Sequence, residues 1–474
     1  MKVSKTKKYN DIIIFFIVLN LVVINELISS YKVGIIFSVL LGLIVILFLA
    51  RRNERIAIYW HFIFILTSLE FSSDLILKSD IYTYRTVSIF GISLSTIITL
   101  IIFIRLIPTH IYRNYTKIEF VQLLSISIAF LVGITSVLLK EYEFNFFIGN
   151  FQYWLIFLMT IVIFEKIFNY DNYYENLFFN VIVFSLAARI LIQSLTFMFG
   201  ITKGTYGGVA IFSYDSLDLL NPFIILALPF MKTKVSRSII IIVWMLGILS
   251  TTFFMSGKSI IFTLISFILF NYYIAKKHST FFKIFLIIFV IVICVSFIAF
   301  ISVILQENVL AQSKLSQVIS VLDFNWIFNP YLLDASPQYR VIQFYNIVGN
   351  LIKNPQYLIF GKGFGGYFSD DLFYHYGAST DGGYSAKEVS SRKFVNPHSS
   401  VNEVLLRFGL MGVVILFITI KQISSSRNLN YFEKIIGITL LGTSLGFSIK
   451  LCYLVGYIIS KSHKNESNSF RKYL

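Results

Sequence analysis

The chain has 474 residues, of which 57% are hydrophobic and only 14% are charged. An ordinary soluble domain carries about 25% charged residues, so this chain has too little polar surface to cover a soluble core of its size. The same composition excludes a disordered chain, and two cysteines exclude a disulfide scaffold. The composition therefore predicts a polytopic membrane protein.

The net charge of +16 does not indicate a nucleic-acid partner. Lys and Arg lie in short clusters between apolar runs, which is the pattern that orients membrane proteins in the lipid bilayer. The first apolar run follows Lys2, Lys5, Lys7 and Lys8, and no small-residue cleavage site follows it. We therefore expect an uncleaved first span, a cytoplasmic N-terminus and a multi-pass location in the cytoplasmic (inner) membrane.

The apolar runs predict the spans, because a transmembrane helix needs roughly 17–25 mostly apolar residues. Continuous Ile, Leu, Phe and Val indicate helices rather than barrel strands, which would alternate. The candidate spans are 11–30, 33–50, 56–73, 86–107, 118–139, 150–168, 176–199, 217–231, 238–255, 259–275, 284–304, 398–420 and 435–460. The fold class expected is an all-α polytopic membrane protein with about 12–14 transmembrane helices.

One long polar segment separates the spans into groups. We expect a transmembrane helix bundle over 1–304, a large extracytoplasmic loop or cap over 305–397, C-terminal transmembrane helices over 398–460 and a basic tail over 461–474. Apolar residues at helical spacing from Tyr339 to Leu351 indicate that the cap is ordered. The run 435–460 contains Lys450, and it is either one span or a hairpin of two helices.

Two motifs look like nucleotide loops but lack the context of such loops. GKGFGG at 361–366 lies in the outer segment without a βαβ unit, so it is either a flexible glycine turn or a turn whose N–H groups approach an anion. SGKS at 256–259 has Thr252 where a P-loop has its first glycine. Lys258 is therefore an interfacial side chain or a functional cation, but not part of an ATP site.

Charged residues inside apolar runs are candidates for function. Burying Arg189 costs on the order of 2.5–3.5 kcal/mol, so it needs a partner. That partner is a phosphate group or a transported ligand, or else a carboxylate such as Glu26 or Glu70. Arg407 follows Glu403 by one helical turn, which favours a structural ion pair.

The outer segment offers one further acidic cluster and one histidine. Asp370 and Asp371 favour a solvated loop over a metal site, so we expect chemistry without a metal ion or cofactor. His398 follows Pro397 at the start of a span. An imidazole there can accept a proton from a hydroxyl group, and the positive end of the helix favours an anion nearby.

Three segments occur in a characteristic order, namely YDSLDLLNPFIILALPF at 214–230, SPQYRVIQFYNIVGNLIKNPQYLIFGKGFGGYF at 336–368 and PHSSVNEVLLRFGLMGVVILF at 397–417. Together they resemble the O-antigen ligase/polymerase family. Arg340 matches the loop arginine of that family and His398 its motif histidine. The remaining matches are Gly361, Gly363 and Gly365 in the glycine turn, Gly409 and Gly412 at the end of the histidine motif, and Lys258, where the family often has Arg. Ser399 departs from the family pattern, which has Asn.

The resemblance implies a GT-C-like membrane glycosyltransferase that uses an undecaprenyl-diphosphate-linked oligosaccharide outside the cytoplasm. It implies catalytic roles for His398 and Arg340, and diphosphate binding by Lys258, Gly361, Gly363 and Gly365. Arg189 is a further candidate for diphosphate binding because it is a cation inside an apolar run. The first hypothesis is a polymerase of O-antigen, capsular or exopolysaccharide repeat units, with the flippase and chain-length regulator of the same pathway as partners. The alternatives are a ligase that transfers the glycan to lipid A-core or another acceptor, and a lipid-linked oligosaccharide flippase or transporter.

Overall fold

The computed structural model describes most of the chain. The described residues are 2–27, 31–68, 88–89, 92–106, 117–168, 172–199, 204–206, 209–211, 215–254, 265–266, 268–269, 316, 320–321, 324–375, 384, 386–443, 446 and 448–463. Lys258 lies outside them, together with the candidate span 284–304, nearly all of 259–275 and most of the basic tail.

The described part is mostly α-helical. Its α-helices are α1 (Lys2–Leu27), α2 (Tyr31–Ala50), α3 (Glu54–Thr67), α4 (Leu94–Leu106), α5 (Lys117–Leu138), α6 (Phe144–Phe168), α7 (Asn172–Met198), α8 (Lys234–Phe254), α9 (Ala335–Ile352), α10 (Pro355–Phe360), α11 (Ala386–Ser391), α12 (Ser400–Ser425), α13 (Tyr431–Thr443) and α14 (Ile449–Ser462). Its antiparallel strand pairs are β1 (Ser88–Ile89) with β2 (Ile92–Ser93), β3 (Gly204–Tyr206) with β4 (Val209–Ile211), and β5 (Phe368–Ser369) with β6 (Lys393–Phe394). Three segments are 3₁₀ helices: Ser216–Phe230, Phe324–Ile327 and Pro330–Leu332.

Four of the described helices are long and apolar enough to cross a membrane. These segments are Phe120–Leu138, Phe144–Glu165, Glu175–Thr196 and Ser400–Ser425. Large apolar side chains such as Leu131 and Leu138 on α5 are exposed on the protein surface, as expected for a helix that faces lipid. The fold is therefore that of an all-α membrane protein, and the total of 12–14 spans stays a prediction.

Two candidate spans differ from simple α-helices. Strands Ser88–Ile89 and Ile92–Ser93 pair with each other, and the helix expected over 86–107 starts only at Leu94. The run 217–231 is a 3₁₀ helix with Pro222 and Pro229 inside it. Each proline lacks an N–H donor and its ring clashes with a carbonyl in α-helical geometry, which explains the departure.

The run 435–460 divides into two helices, as its hairpin interpretation predicts. Ser448 caps the N-terminus of α14, and Lys450 lies in the first turn of that helix. Lys461 near the end of α14 forms a 2.7 Å ion pair with Glu433 at the start of α13. This pair joins the last turn of one helix to the first turn of the other, so the two helices run antiparallel.

The chain forms two compact units. The Arg189 unit comprises Met1–Leu27 and Asn180–Gln338, and the His398 unit comprises Ile28–Phe179 and Tyr339–Leu474. The boundaries fall within α7 and α9, so residues 305–397 contribute to both units.

The Arg189 unit packs α1 against the second part of α7. The rings of Phe15 and Phe184 meet edge to face at 5.4 Å. Asn180 donates a 3.0 Å hydrogen bond to the carboxylate of Asp11. Apolar packing and this hydrogen bond therefore hold the two helices together.

The His398 unit has an aromatic core. Phe62, Phe164 and Phe178 pack edge to face on each other, with ring centroids 4.9–5.5 Å apart. Tyr453 and Tyr457 of α14 complete this cluster. Such edge-to-face contacts add stability beyond the area that they bury.

The predicted cap segment is ordered where the structure describes it. Helix α9 covers the predicted helical pattern from Tyr339 to Leu351. Its buried side chains join those of β5, β6 and α12 in one small core, formed by Ile347, Leu351, Phe368, Tyr384, Phe394, Leu405 and Leu406. This core fixes α9 against the first turns of α12, which is where Arg340 and His398 lie.

Candidate functional site

The site is built on the N-terminus of α12. The hydroxyl of Ser399 accepts a hydrogen bond from the N–H of Asn402 at 3.3 Å and thereby caps the helix. Ser and Asn are both favoured at this position. Ser399 is therefore a suitable N-cap for α12, and His398 lies directly before it.

Helix α9 holds His398 through one amide side chain. The backbone N–H of His398 donates to Oε1 of Gln343 at 2.8 Å. The Nε2 atom of Gln343 lies 2.6 Å from Nδ1 of His398. Gln343 is fully buried and His398 is partly exposed, so the amide fixes one edge of the imidazole from inside the protein.

Arg340 lies one turn before Gln343 on the same helix. Its Nε donates a long 3.4 Å hydrogen bond to the carbonyl of His398. The amide of Asn402 donates to the carbonyl of Arg340 at 2.9 Å. The structure thus brings together the two residues that the sequence analysis assigned to catalysis, although 58 positions separate them in the chain.

A second layer of polar residues supports the imidazole. The hydroxyl of Tyr384 lies 3.2 Å from Nδ1 of His398 and 3.3 Å from Nε2 of His375, and Gln343 donates to the same hydroxyl. Burial lowers the pKa of His375 to about 4, and nearby His398 and Arg392 act in the same direction. His375 is therefore neutral near pH 7.

The two neighbouring aspartates of the cap, Asp370 and Asp371, form ion pairs with different cations. Asp370 accepts from the backbone N–H of His375 at 3.0 Å and forms an ion pair with Arg392. Asp371 pairs with Lys353 at 2.5 Å on the surface. Lys353 lowers the pKa of Asp371 by hydrogen bonding to it. The described residues contain no cluster of three or more His, Cys, Asp or Glu side chains that could hold a metal ion.

The glycine turn packs against a kink in α12. Gly409 has φ +63° inside the helix, and this leaves helix carbonyls open to other donors. The N–H groups of Lys362 and Gly363 donate to the carbonyls of Leu406 and Arg407 at 2.7 and 3.1 Å. The backbone N–H groups of the turn therefore hydrogen-bond to α12 and attach the turn to that helix.

Close backbone contact explains the glycines at this junction. A Cβ on Gly361 would lie 2.3 Å from the carbonyl carbon of Arg407, and one on Gly409 would lie 2.7 Å from the nitrogen of Gly361. A Cβ on Gly363 would meet the carbonyl of Ala129 at 2.7 Å. Diphosphate binding by Gly361, Gly363 and Gly365 stays a prediction, and the contacts give these residues a packing role.

Arg407 connects the kink to the loop before His398. It is fully buried and forms the expected ion pair with Glu403 at 2.8 Å, which confirms that prediction. It also donates to the carbonyls of Gly366 at 2.6 Å and Val395 at 2.5 Å. Its guanidinium is thus shared among three protein acceptors, and Arg407 is a structural residue.

Arg189 has carboxylate partners inside its own unit. Its guanidinium binds both oxygens of Asp218, at 2.7 and 3.3 Å, and lies 3.5 Å from Asp215. The same two aspartates form a capping box at the start of the 3₁₀ helix Ser216–Phe230. This geometry supports the ion-pair alternative, with Asp215 and Asp218 as carboxylate partners. Glu70 and the side chain of Glu26 lie outside the described residues. Diphosphate binding by Arg189 stays a prediction.

An apolar pocket lies within the His398 unit. Its walls come from α5, α6, α12 and α13 and include Trp154, Phe157, Phe408 and Leu416. Phe408 follows His398 along α12 by about 15 Å at the rise of an α-helix. The helix that begins beside the imidazole therefore also lines an apolar cavity.

Sequence reasoning missed Gln343 and Tyr384. The one signal for Gln343 was its spacing of three residues from Arg340, which puts both on one face of α9. Tyr384 gave no signal, because its contacts to Gln343 and His398 span 41 and 14 positions of the chain.

Searches with family models, against curated proteins and against solved structures find no match to the chain. The fold and the site define the class of protein by themselves: an α-helical membrane protein with an arginine and a histidine placed together at the start of a long apolar helix.

Proposed function

We propose that the protein is a polymerase that joins polyprenyl-diphosphate-linked oligosaccharide repeat units into a polysaccharide on the outer side of the cytoplasmic membrane. The donor is the growing chain on its lipid diphosphate, and the acceptor is a sugar hydroxyl of the next lipid-linked repeat. The observation that carries the proposal is the contact between Arg340 and His398.

The reaction needs a cation at the leaving group. The glycosidic bond to the diphosphate breaks, and the departing oxygen gains negative charge that a fixed cation stabilises. Arginine suits this role because its guanidinium is always charged and binds two phosphate oxygens at once. Arg340 is partly exposed, and His398 supplies a second polar group beside it.

The lipid part of the substrate needs an apolar flank. The pocket lined by Trp154, Phe408 and Leu416 is apolar and lies along α12. An isoprenoid chain can pack against these side chains by van der Waals contact, as it does against other lipid tails. The combination of an apolar flank and a cationic end supports a lipid-linked diphosphate as substrate.

The test is the glycan profile of a strain that lacks the protein. The strain is complemented with the wild type, with Arg340→Ala or with Lys353→Ala, a matched control because Lys353 is an exposed cation at the end of the same helix. We expect single repeats in the deletion strain, and long chains to be restored by the wild type and Lys353→Ala only. Lipid-linked and surface glycans are separated by gel electrophoresis.

Two other outcomes would overturn the proposal. Long chains that accumulate on the lipid carrier and are missing from their final acceptor would indicate a ligase. A glycan profile that does not change on deletion would remove the protein from glycan assembly and favour a transporter.

A further inference from the structure

We propose that His398 acts as a hydrogen-bond donor through Nε2–H, and that Gln343 is the positioning residue that fixes this tautomer. The proposal rests on the proposed function for the identity of the acceptor, a diphosphate oxygen. It differs from the general base that the sequence led us to expect, because a base would need an unprotonated Nε2.

The orientation of the Gln343 amide is set by the backbone. Its Oε1 accepts the N–H of His398 at 2.8 Å. The opposite orientation would place the amide NH₂ against that N–H, and two donors would then face each other. The NH₂ group of Gln343 therefore faces the imidazole, where Nε2 lies 2.6 Å from Nδ1 of His398.

The amide decides which ring nitrogen carries the proton. An amide NH₂ has only donors, so Nδ1 of His398 must be the acceptor. A neutral imidazole with a lone pair on Nδ1 carries its hydrogen on Nε2. The second hydrogen of the NH₂ group has its own acceptor, because Gln343 also donates to the hydroxyl of Tyr384.

The surroundings make this arrangement hard to reverse. Gln343 and Tyr384 are both fully buried. The other tautomer would place an Nδ1–H against the amide NH₂ at 2.6 Å, and the amide hydrogen that points to Nδ1 would lose its acceptor even if the Tyr384 hydroxyl, 3.2 Å away, accepted the Nδ1–H. The hydrogen bond from Asn402 to the carbonyl of Arg340 joins α9 to α12, so the two helices keep this register.

The donor role completes an anion site. Arg340 donates to the backbone carbonyl of His398, which places its guanidinium next to the residue that carries the imidazole. Two fixed donors can then bind the diphosphate as its charge develops. The bond from C1 of the sugar to the phosphate oxygen breaks, and the electron pair stays on that oxygen. The acceptor hydroxyl forms the new bond to C1, and its proton passes to a diphosphate oxygen.

The tautomer is measured without any substrate. The full-length protein, labelled with ¹⁵N-histidine in lipid vesicles, is examined by solid-state NMR at pH 8. The chain has six histidines, and the spectrum of His398→Ala assigns the signal. We expect a protonated Nε2 and a bare Nδ1 at His398. The reverse pattern in the wild type would overturn the proposal.

A variant of the amide gives the matched control. In Gln343→Glu a carboxylate replaces the NH₂ group, and a carboxylate can only accept. We expect the proton of His398 to move to Nδ1 in this variant, while the other histidine signals stay in place. An unchanged His398 signal would contradict the positioning role of Gln343.

The catalytic role is tested by His398→Gln against His398→Ala. The amide of glutamine can donate near the position of Nε2 but cannot accept a proton as a base does. Loss of one such donor typically costs 10²- to 10³-fold in rate, so we expect His398→Gln to retain about tenfold more polymerisation than His398→Ala. Equal rates would overturn the donor role. If the wild type forms no polymer, the proposed function fails, and the NMR spectrum still decides the tautomer.

Discussion

Two polar arrangements lie along helix α12, and they differ in how far their side chains are exposed. At the kink, Arg407 is fully buried, and its guanidinium donates to Glu403 and to two backbone carbonyls. At the start of the helix, Arg340 and His398 are partly exposed, and Arg340 makes a long 3.4 Å hydrogen bond to the carbonyl of His398.

The two arginines have different roles: Arg407 stabilises the fold, and Arg340 is placed to contact a substrate. Both regions belong to the segments that resemble the O-antigen ligase/polymerase family, but the kink has the hydrogen bonding of a protein core. An arginine saturated by protein acceptors stabilises the fold, whereas a partly exposed arginine beside an imidazole can stabilise a substrate. The substitutions below test that difference in roles.

The largest effect on stability is expected for Arg407→Met. The substitution leaves Glu403 buried without its cation, and breaking a buried pair in this way costs about 3–5 kcal/mol. We expect loss of the folded protein in a thermal-unfolding measurement in detergent. Arg340→Met is the matched control, and it should unfold near the wild-type temperature while it abolishes polymer formation. Equal destabilisation by both variants would contradict the difference in roles.

The second effect is a loss of stability at acidic pH, which we expect from His375 in the layer of polar residues behind His398. His375 has a folded-state pKa of about 4 against an ordinary value of 6.5, because it is buried. Between these values the unfolded chain binds a proton that the folded chain does not, so stability falls as the pH is lowered from 6.5 to 4. The loss is about 3 kcal/mol. Unfolding measured over this range should show it, and His375→Phe should lose less stability over the range than the wild type.

A third effect concerns the kink itself. Gly409→Ala places a side chain at φ +63°, with backbone oxygens of Leu358 and Ile359 only 2.6 Å from the new Cβ. The left-handed backbone alone costs about 1–3 kcal/mol. Gly442→Ala is the control, because nothing lies within 4 Å of its Cβ, and it should stabilise α13 by about 0.4–1 kcal/mol. Chemical unfolding of the two variants should give opposite signs.

The smallest effect is expected at the surface pair of Lys353 and Asp371. Both side chains are well exposed, at 59% and 40%. Such pairs contribute about 0.2–1 kcal/mol and are screened by salt. Lys353→Ala should therefore change neither the unfolding temperature nor polymer formation measurably, and a large loss would show that the cap depends on this contact.

The sequence predicted the features that have a local cause. Apolar spacing predicted the helix from Tyr339 to Leu351, and the one-turn spacing predicted the pair of Glu403 and Arg407. A hairpin of two helices was one of the two interpretations of the run 435–460. Each of these depends on residues within a few turns of one another, where helical periodicity determines the contact.

The features that it missed depend on distant contacts. Asp218 contacts Arg189 across 29 positions of the chain, and Asp215 contacts it from the N-cap of the same 3₁₀ helix. Gln343 meets His398 across 55 positions, and glutamine in a helix carries no signature of such a role. The 3₁₀ geometry of Ser216–Phe230 was also missed, although its two prolines were visible in the sequence.

We propose that Arg340 and His398 act together on a lipid-linked diphosphate. The most direct measurement is polymer formation by the purified protein in vesicles supplied with polyprenyl-diphosphate-linked repeat units, for the wild type, Arg340→Ala, His398→Ala and the double variant. We predict that each single variant loses about 10²- to 10³-fold in rate. The double variant should lose less than the product of the two losses, because both residues act on one leaving group. Polymer formation by the double variant at the wild-type rate would contradict the account.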